Sequence, residues 1–358
     1  MRTVTIIKRT SQYGSLLHVG QILSCDDAEA RRLIKLRVAV DDDCDDSPIG
    51  KIFGDRLSIV AITKSFLPTT RGGSEVALYG LMRFFQKRGH QVAIHVDDKS
   101  YKENEIDGIP IVYQMPDDAD ICIANRVDGW DGRQFLGKSS ARFYQYFHCD
   151  VQHHGHRTIT CAKWLQQKYG STLVQYPSTN IDAVIADDCV RDCCDGKKIL
   201  FINLNVRKGS KDFWELAKMM PDKEFVALKS WGYQYIPYSL PNVTICENVA
   251  DMRPYYNDAS FLLFLSPNGE GFPTVMVEAM ANSVPVIAYR IPATQEVLGN
   301  TGNFFQHHDY DAMASFIQRG YDDDGFYRSL SETAKQRAGE IRSETLQQLD
   351  ALEHHFFT

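Results

Sequence analysis

The stretch that most restricts what this chain can fold into is 264–281, which reads Phe-Leu-Ser-Pro-Asn-Gly-Glu-Gly-Phe-Pro-Thr-Val-Met-Val-Glu-Ala-Met-Ala. The apolar run Phe261 to Leu265 predicts a buried strand that stops at Ser266-Pro267. A Gly-rich turn follows, and Pro273 predicts the first residue of a helix, where its fixed φ and missing N–H do no harm. That helix is short, because Pro285-Val286-Ile287-Ala288 reads as the next strand. Glu270 therefore sits in the turn, and Glu278 about a turn and a half inside the helix. Between the two acids lie the free N–H groups of a helix N-terminus, a natural seat for a diphosphate. Acids on either side of such a seat suit a sugar nucleotide, one holding sugar hydroxyls and the other the ribose.

The phrase strand, Ser-Pro, Glu-Gly-Phe, Glu-Ala-Met-Ala, Pro-Val-Ile-Ala resembles the E-x7-E signature of retaining GT-B glycosyltransferases, most closely glycosyltransferase family 4. The alternative for the bare segment is an ordinary strand–helix–strand unit with solvated acids. The resemblance implies that Glu270 contacts the donor sugar and Glu278 the ribose diol, with Gly271 and Phe272 in the same turn. Thr274 and Val275 would offer backbone N–H groups to the phosphate. The implied fold is α/β GT-B: two Rossmann-like domains facing across a cleft, here with a small α+β N-terminal extension.

A chain of 358 residues has room for two domains with separate cores. Its 44% hydrophobic and 24% charged content is ordinary for a globular protein. No apolar run is long enough for a membrane span, and the first residues lack a signal-peptide layout, so a cytoplasmic enzyme without membrane insertion is expected. A formal charge of −7 gives no global field toward nucleic acid, although a local basic groove is compatible with it. Nine irregularly spaced cysteines suit a reducing compartment better than a disulfide framework.

Residues 1–47 predict a small module, with strands at 4–9 and 20–23, a turn at Tyr13-Gly14 and a helix over 28–35. Its Gly20-x-Ile22-x-x-x-Asp26-Asp27 pattern resembles a module common in phage and prophage proteins. The acidic run closing it leads into a linker over 48–54. Residues 55–175 predict the acceptor domain. Leu57 to Ile62 forms its first strand, a loop carries Gly72-Gly73, a helix covers 75–88, and strands follow at 91–96, 109–113, 121–125 and 142–147. This opening resembles that of the family 4 acceptor domain, where the glycine loop packs near the donor phosphates because residues without Cβ permit close backbone approach. Gly72 and Gly73 are otherwise a plain turn. His148 falls where many family members place a histidine near the sugar; it is either that contact or a polar strand end. Cys149, His153, His154 and His156 lack a second ligand pair, so a polar loop is favoured over a metal site. Asp128 and Asp131 fit an acceptor contact or a turn equally well.

A linker over 176–196 leads to the donor domain, 197–330, and 331–358 completes the chain as one or more helices that would brace the first domain. The donor domain predicts a strand at 198–203, a basic loop, a helix over 211–219 and a strand at 224–228. By resemblance, Lys208 before Gly209 is the lysine that neutralises the donor diphosphate as negative charge builds on it. Family members often carry an arginine five positions earlier, where this chain has Asn203, which leaves Arg207 as a second cation. No Asp-x-Asp element stands at a predicted strand end, so positive side chains and a helix N-terminus are expected to serve in place of a metal. The resemblance thus implies a metal-independent, retaining transfer of a hexose, such as glucose from UDP-glucose, needing no cofactor beyond that donor. The phage-like module points to modified DNA, for example hydroxymethylated pyrimidine, as one acceptor. A glycan or protein acceptor, or a non-catalytic sugar-nucleotide-binding or phage structural protein, is the alternative.

Overall fold

The computed structural model describes residues 56–70, 72–126, 132–136, 139–152, 157–177, 181–185, 190–194, 197–230, 233 and 239–358, together with the backbone of five short strands before residue 42. Those strands are β1 (Arg2–Ile6), β2 (Thr10–Gln12), β3 (Ser15–Leu17), β4 (Ile22–Cys25) and β5 (Ala39–Asp41). β1 lies between β4 and β5, antiparallel to both, and β2 pairs with β3. The helix expected over 28–35 and the turn at 13–14 lie outside the described residues.

The first domain is built on β6 (Ser58–Thr63), β7 (Gln91–Val96), β8 (Glu105–Ile106), β9 (Ile109–Val112), β10 (Ile121–Arg126), β11 (Arg142–Phe147), β12 (Thr158–Thr160) and β13 (Leu173–Val174). Their order is β13-β12-β11-β10-β6-β7-β9-β8, parallel except for the β8–β9 pair. Near-continuous apolar runs such as Ile59 to Ile62 are buried on both faces, as a covered parallel sheet requires. Helix α1 (Gly73–Lys87) starts two residues earlier than its apolar pattern predicts and buries Ala77, Leu78, Leu81, Met82 and Phe85. A short helix, α2 (Lys163–Tyr169), follows β12.

The second domain has β14 (Lys198–Ile202), β15 (Phe225–Leu228), β16 (Val243–Cys246), β17 (Ala259–Phe264), β18 (Val286–Tyr289) and β19 (Asn303–Phe305). They form an all-parallel sheet in the order β16-β15-β14-β17-β18-β19. α3 (Ser210–Met219) and α7 (Tyr310–Asp322) contribute to the core on one face. α4 (Arg253–Asn257), α5 (Thr274–Ala281) and α6 (Pro292–Leu298) contribute to the core on the other.

α8 (Asp324–Phe357) is one helix of 34 residues, so the cut expected between 330 and 331 falls inside a continuous element. It packs on α5 in the second domain and ends on the first. There Arg88 pairs with Asp350, His90 Nε2 lies 2.9 Å from Glu353 Oε1, and Phe356 is buried against Phe85 and Tyr144. One apolar cluster therefore runs from Ile59 and Leu78 through Phe272 and Met276 to Leu352 and Phe356. Among the described residues, no helix is long and apolar enough to cross a membrane.

Candidate active site

The carboxyl ends of β14 and β17 place the two halves of the site side by side. After β14 the chain turns through Asn203, whose φ of +69° is a left-handed conformation that asparagine tolerates better than most side chains. That backbone demand applies at the position where the resemblance leads one to expect arginine. A single turn then carries Val206, Arg207 and Lys208, capped by Asn205, whose side chain accepts the Arg207 N–H at 2.8 Å. Gly209 closes it with φ +87°, and a Cβ there would come within 2.2 Å of the Leu265 carbonyl oxygen. The glycine is thus needed for both conformation and contact, and it presses the Lys208 turn onto the start of the acid loop.

The two loops join through side chains. The Lys208 ammonium pairs with Glu270 Oε1, and the Ser266 hydroxyl donates to the same oxygen at 2.7 Å. Both charged groups are mostly covered, so the pair is less screened than an ordinary surface ion pair. Arg207 is exposed, and Ser266 Oγ, which donates to Glu270, also approaches the Arg207 carbonyl at 3.4 Å.

Pro273 is the residue before the helix, not its first, with an extended ψ of 98°; α5 begins at Thr274. Among the described residues no side chain caps this N-terminus, so the Thr274 and Val275 amides stand at its open end. Glu278, a turn further in, accepts the Tyr256 hydroxyl at 2.6 Å. Burial raises its pKa, while the Tyr256 and Thr274 hydroxyls act in the opposite direction. Phe272 points back into the core and stacks on Tyr176, with ring centroids 4.3 Å apart.

The first domain meets this loop directly. Cys149 and Glu270 form an isolated antiparallel backbone bridge. Gly271 lies against the strand end before it, where a Cβ would stand 2.2 Å from the His148 carbonyl oxygen and 2.6 Å from Cys161 Sγ. His148 is consequently a neighbour of the acid loop. Its ring packs on Tyr146 at 4.1 Å, its Nε2 is buried without a partner among the described residues, and burial lowers its pKa to about 3. A neutral imidazole follows at ordinary pH. Gly72 and Gly73 open α1, and among the described residues no hydrogen bond joins them to the acid loop. Glu75 in the first turn of that helix is buried, and that burial raises its pKa.

Several residues near the site gave no sequence signal. Trp164 Nε1 donates to the Gly271 carbonyl at 2.8 Å, and Glu296 accepts the Lys163 and Trp164 amides at 2.7 and 2.8 Å. The Arg191 guanidinium donates to the carbonyls of Tyr256, Asn257, Ala259 and Asn282, tying the chain between the domains to the base of β17. Asn125, at the end of β10 beside Tyr146, is fully buried, and both its amide atoms are unpartnered among the described residues. Asp128, Asp131, His153, His154 and His156 lie outside the described residues. Among the described ones, no three His, Cys, Asp or Glu side chains are grouped to hold a metal ion.

Residues 221–323 match the family model described as Glycosyl transferases group 1. The capsular polysaccharide biosynthesis glycosyltransferase CapM of Staphylococcus aureus is 28% identical over 99 residues; that alignment spans 27% of this chain and only 26% of CapM. A glycosyltransferase structure from Rickettsia africae superposes with a TM-score of 0.67 at 14% identity, over 85% of this chain and 98% of that one. Anabaena Alr3699/HepE in complex with UDP-glucose gives 0.65 at 14%, over 84% and 100%. An alpha-glucosyltransferase in complex with UDP and a 13-mer DNA containing an HMU base gives 0.58 at 14%, over 79% and 95%. The chain thus has a GT-B fold.

Proposed function

We propose that this protein is a retaining glycosyltransferase that moves a hexose from a nucleotide-diphosphate sugar to an acceptor hydroxyl. The observation that carries the reading is the joining of Lys208, Ser266 and Glu270 in one cluster beside the uncapped N-terminus of α5. A donor entering there exchanges partners with the resting pair. Its diphosphate takes Lys208 and the Thr274 and Val275 amides, and its sugar hydroxyls take the released Glu270 carboxylate. Glu278 receives the ribose. The acceptor oxygen attacks the anomeric carbon on the face from which the diphosphate leaves. The bond from that carbon to the phosphate oxygen breaks as the new one forms, and the acceptor proton passes to the departing phosphate. Lys208 and the helix N-terminus stabilise the charge that accumulates there, the task a metal performs in other transferases. Neutral His148 is suited to hydrogen-bond the sugar or the reacting oxygen.

For the acceptor, the phage-like module and the fold shared with a glucosyltransferase captured on DNA support modified DNA. The local match to CapM supports a bacterial glycan. Parallel assays with UDP-glucose, using hydroxymethylated DNA in one arm and bacterial glycans in the other, separate these two. Glu270→Ala should abolish transfer in a protein that keeps its wild-type circular dichroism; full retained activity would remove Glu270 from the site. Lys208→Ala should weaken UDP-glucose binding roughly ten- to a hundredfold by calorimetry, the worth of one charged hydrogen bond. Undiminished affinity would refute its role.

A further inference from the structure

The acid loop belongs to the second domain, yet the first domain holds its backbone. Glu270 bridges Cys149, Gly271 packs on the His148 carbonyl, and the Trp164 indole donates to the Gly271 carbonyl at 2.8 Å. Trp164 is itself fixed from both directions. Ala162, which precedes α2, offers no side-chain cap, and Glu296 of α6 fills that role with both carboxylate oxygens. At the other end of α2, Lys168 and Tyr169 both bind Asp150 Oδ1 at 2.7 Å, and Asp150 adjoins Cys149. The contacts close a circuit: Glu270, Cys149, Asp150, α2, Trp164, Gly271. Because the circuit crosses the cleft, the carboxylate direction at Glu270 depends on how the domains meet.

We propose that Trp164 is a positioning residue for Glu270, acting through the Gly271 carbonyl, and that Glu296 holds Trp164 in register. The proposal rests on Glu270 being the donor-sugar acid, and it makes domain closure the step that aims this acid. A loop free of the indole bond would still carry Glu270 but would sample other directions, and misplacement of this kind costs rate far more than affinity.

Trp164→Phe keeps an aromatic ring at this half-buried position and removes the N–H donor together with the pyrrole part of the indole, so the melting temperature serves as the control for lost packing. In the donor-free protein, hydrogen exchange of the amides over 268–272 should accelerate roughly three- to tenfold, the effect of losing one ordinary hydrogen bond. With UDP-glucose, kcat should fall by about ten- to a hundredfold. Affinity for UDP alone, which lacks the sugar, and the melting temperature should stay near wild type. Glu296→Gln should give a smaller change of the same pattern, since its amide still offers one acceptor oxygen. Unchanged exchange in Trp164→Phe overturns the proposal, and so does an unchanged kcat. A fall in UDP affinity matching the fall in kcat also overturns it, because that marks general loosening of the site. A wild-type protein that takes up no nucleotide sugar defeats the transferase reading; the exchange measurement still decides whether Trp164 restrains the loop.

Discussion

His148 has an imidazole held neutral by burial, with its pKa lowered to about 3 and, among the described residues, no partner for Nε2. The sign of the resulting pH dependence follows from linkage. Below the ordinary value of 6.5 the unfolded chain takes up a proton that the folded chain refuses until near 3. This residue's contribution is therefore complete above 6.5 and is lost as pH falls from there toward 3. Chemical denaturation at pH 7.5 and pH 5 should show the gap between wild type and His148→Asn narrowing at the lower pH, by at most about 1.4 kcal/mol per pH unit. A constant gap would mean that the ring is solvated or already charged. His148 was legible as a candidate because the family resemblance implies a histidine near the sugar at this place; that it lies under Gly271 was not, because the two are 123 positions apart.

At the scale of elements, the strand–turn–helix from β17 to α5 was readable almost whole. Its apolar run, turn glycines and Pro273 lie within about twenty residues, and each acts on its near neighbours. The local errors are of one kind. The helix begins one residue after Pro273, and α1 begins two residues before its apolar stripe, since end residues answer to caps and packing more than to periodicity. Gly271 shows what the turn is built for. With alanine there, the new methyl would collide with a backbone carbonyl and a buried sulfur, neither of which is the free end of a flexible side chain. Gly271→Ala should thus part the acid loop from the first domain and reduce transfer about a hundredfold or more, while UDP still binds. Transfer at the wild-type rate would show that the loop does not need this close approach.

Across the whole molecule, α8 packs on both domains. Leu349, Leu352 and Phe356 are buried at the first domain, while Ala334 and Ala338 of the same helix belong to the core beneath α5. Phe356→Ala should cost about 3–5 kcal/mol, the range for emptying a buried aromatic site. Calorimetry should show the main melting transition lowered by several degrees for the entire protein, because the cores share this helix. A split into one shifted and one unshifted transition would mean that the domains melt independently.

The amino-acid sequence by itself determined the alternation of strands and helices in the two larger domains, and the acid–glycine phrase with its basic partner loop. Those features depend on periodicity, turn chemistry and capping among residues close in the chain. Only the tertiary structure decided that Lys208 rests on Glu270, that Tyr256 holds Glu278, that Arg191 ties the connecting segment to β17, and that Trp164 reaches across to Gly271. Except for Tyr256 and Glu278, these contacts join residues more than sixty positions apart, and they exist because sheet packing and one long helix bring remote backbone into register.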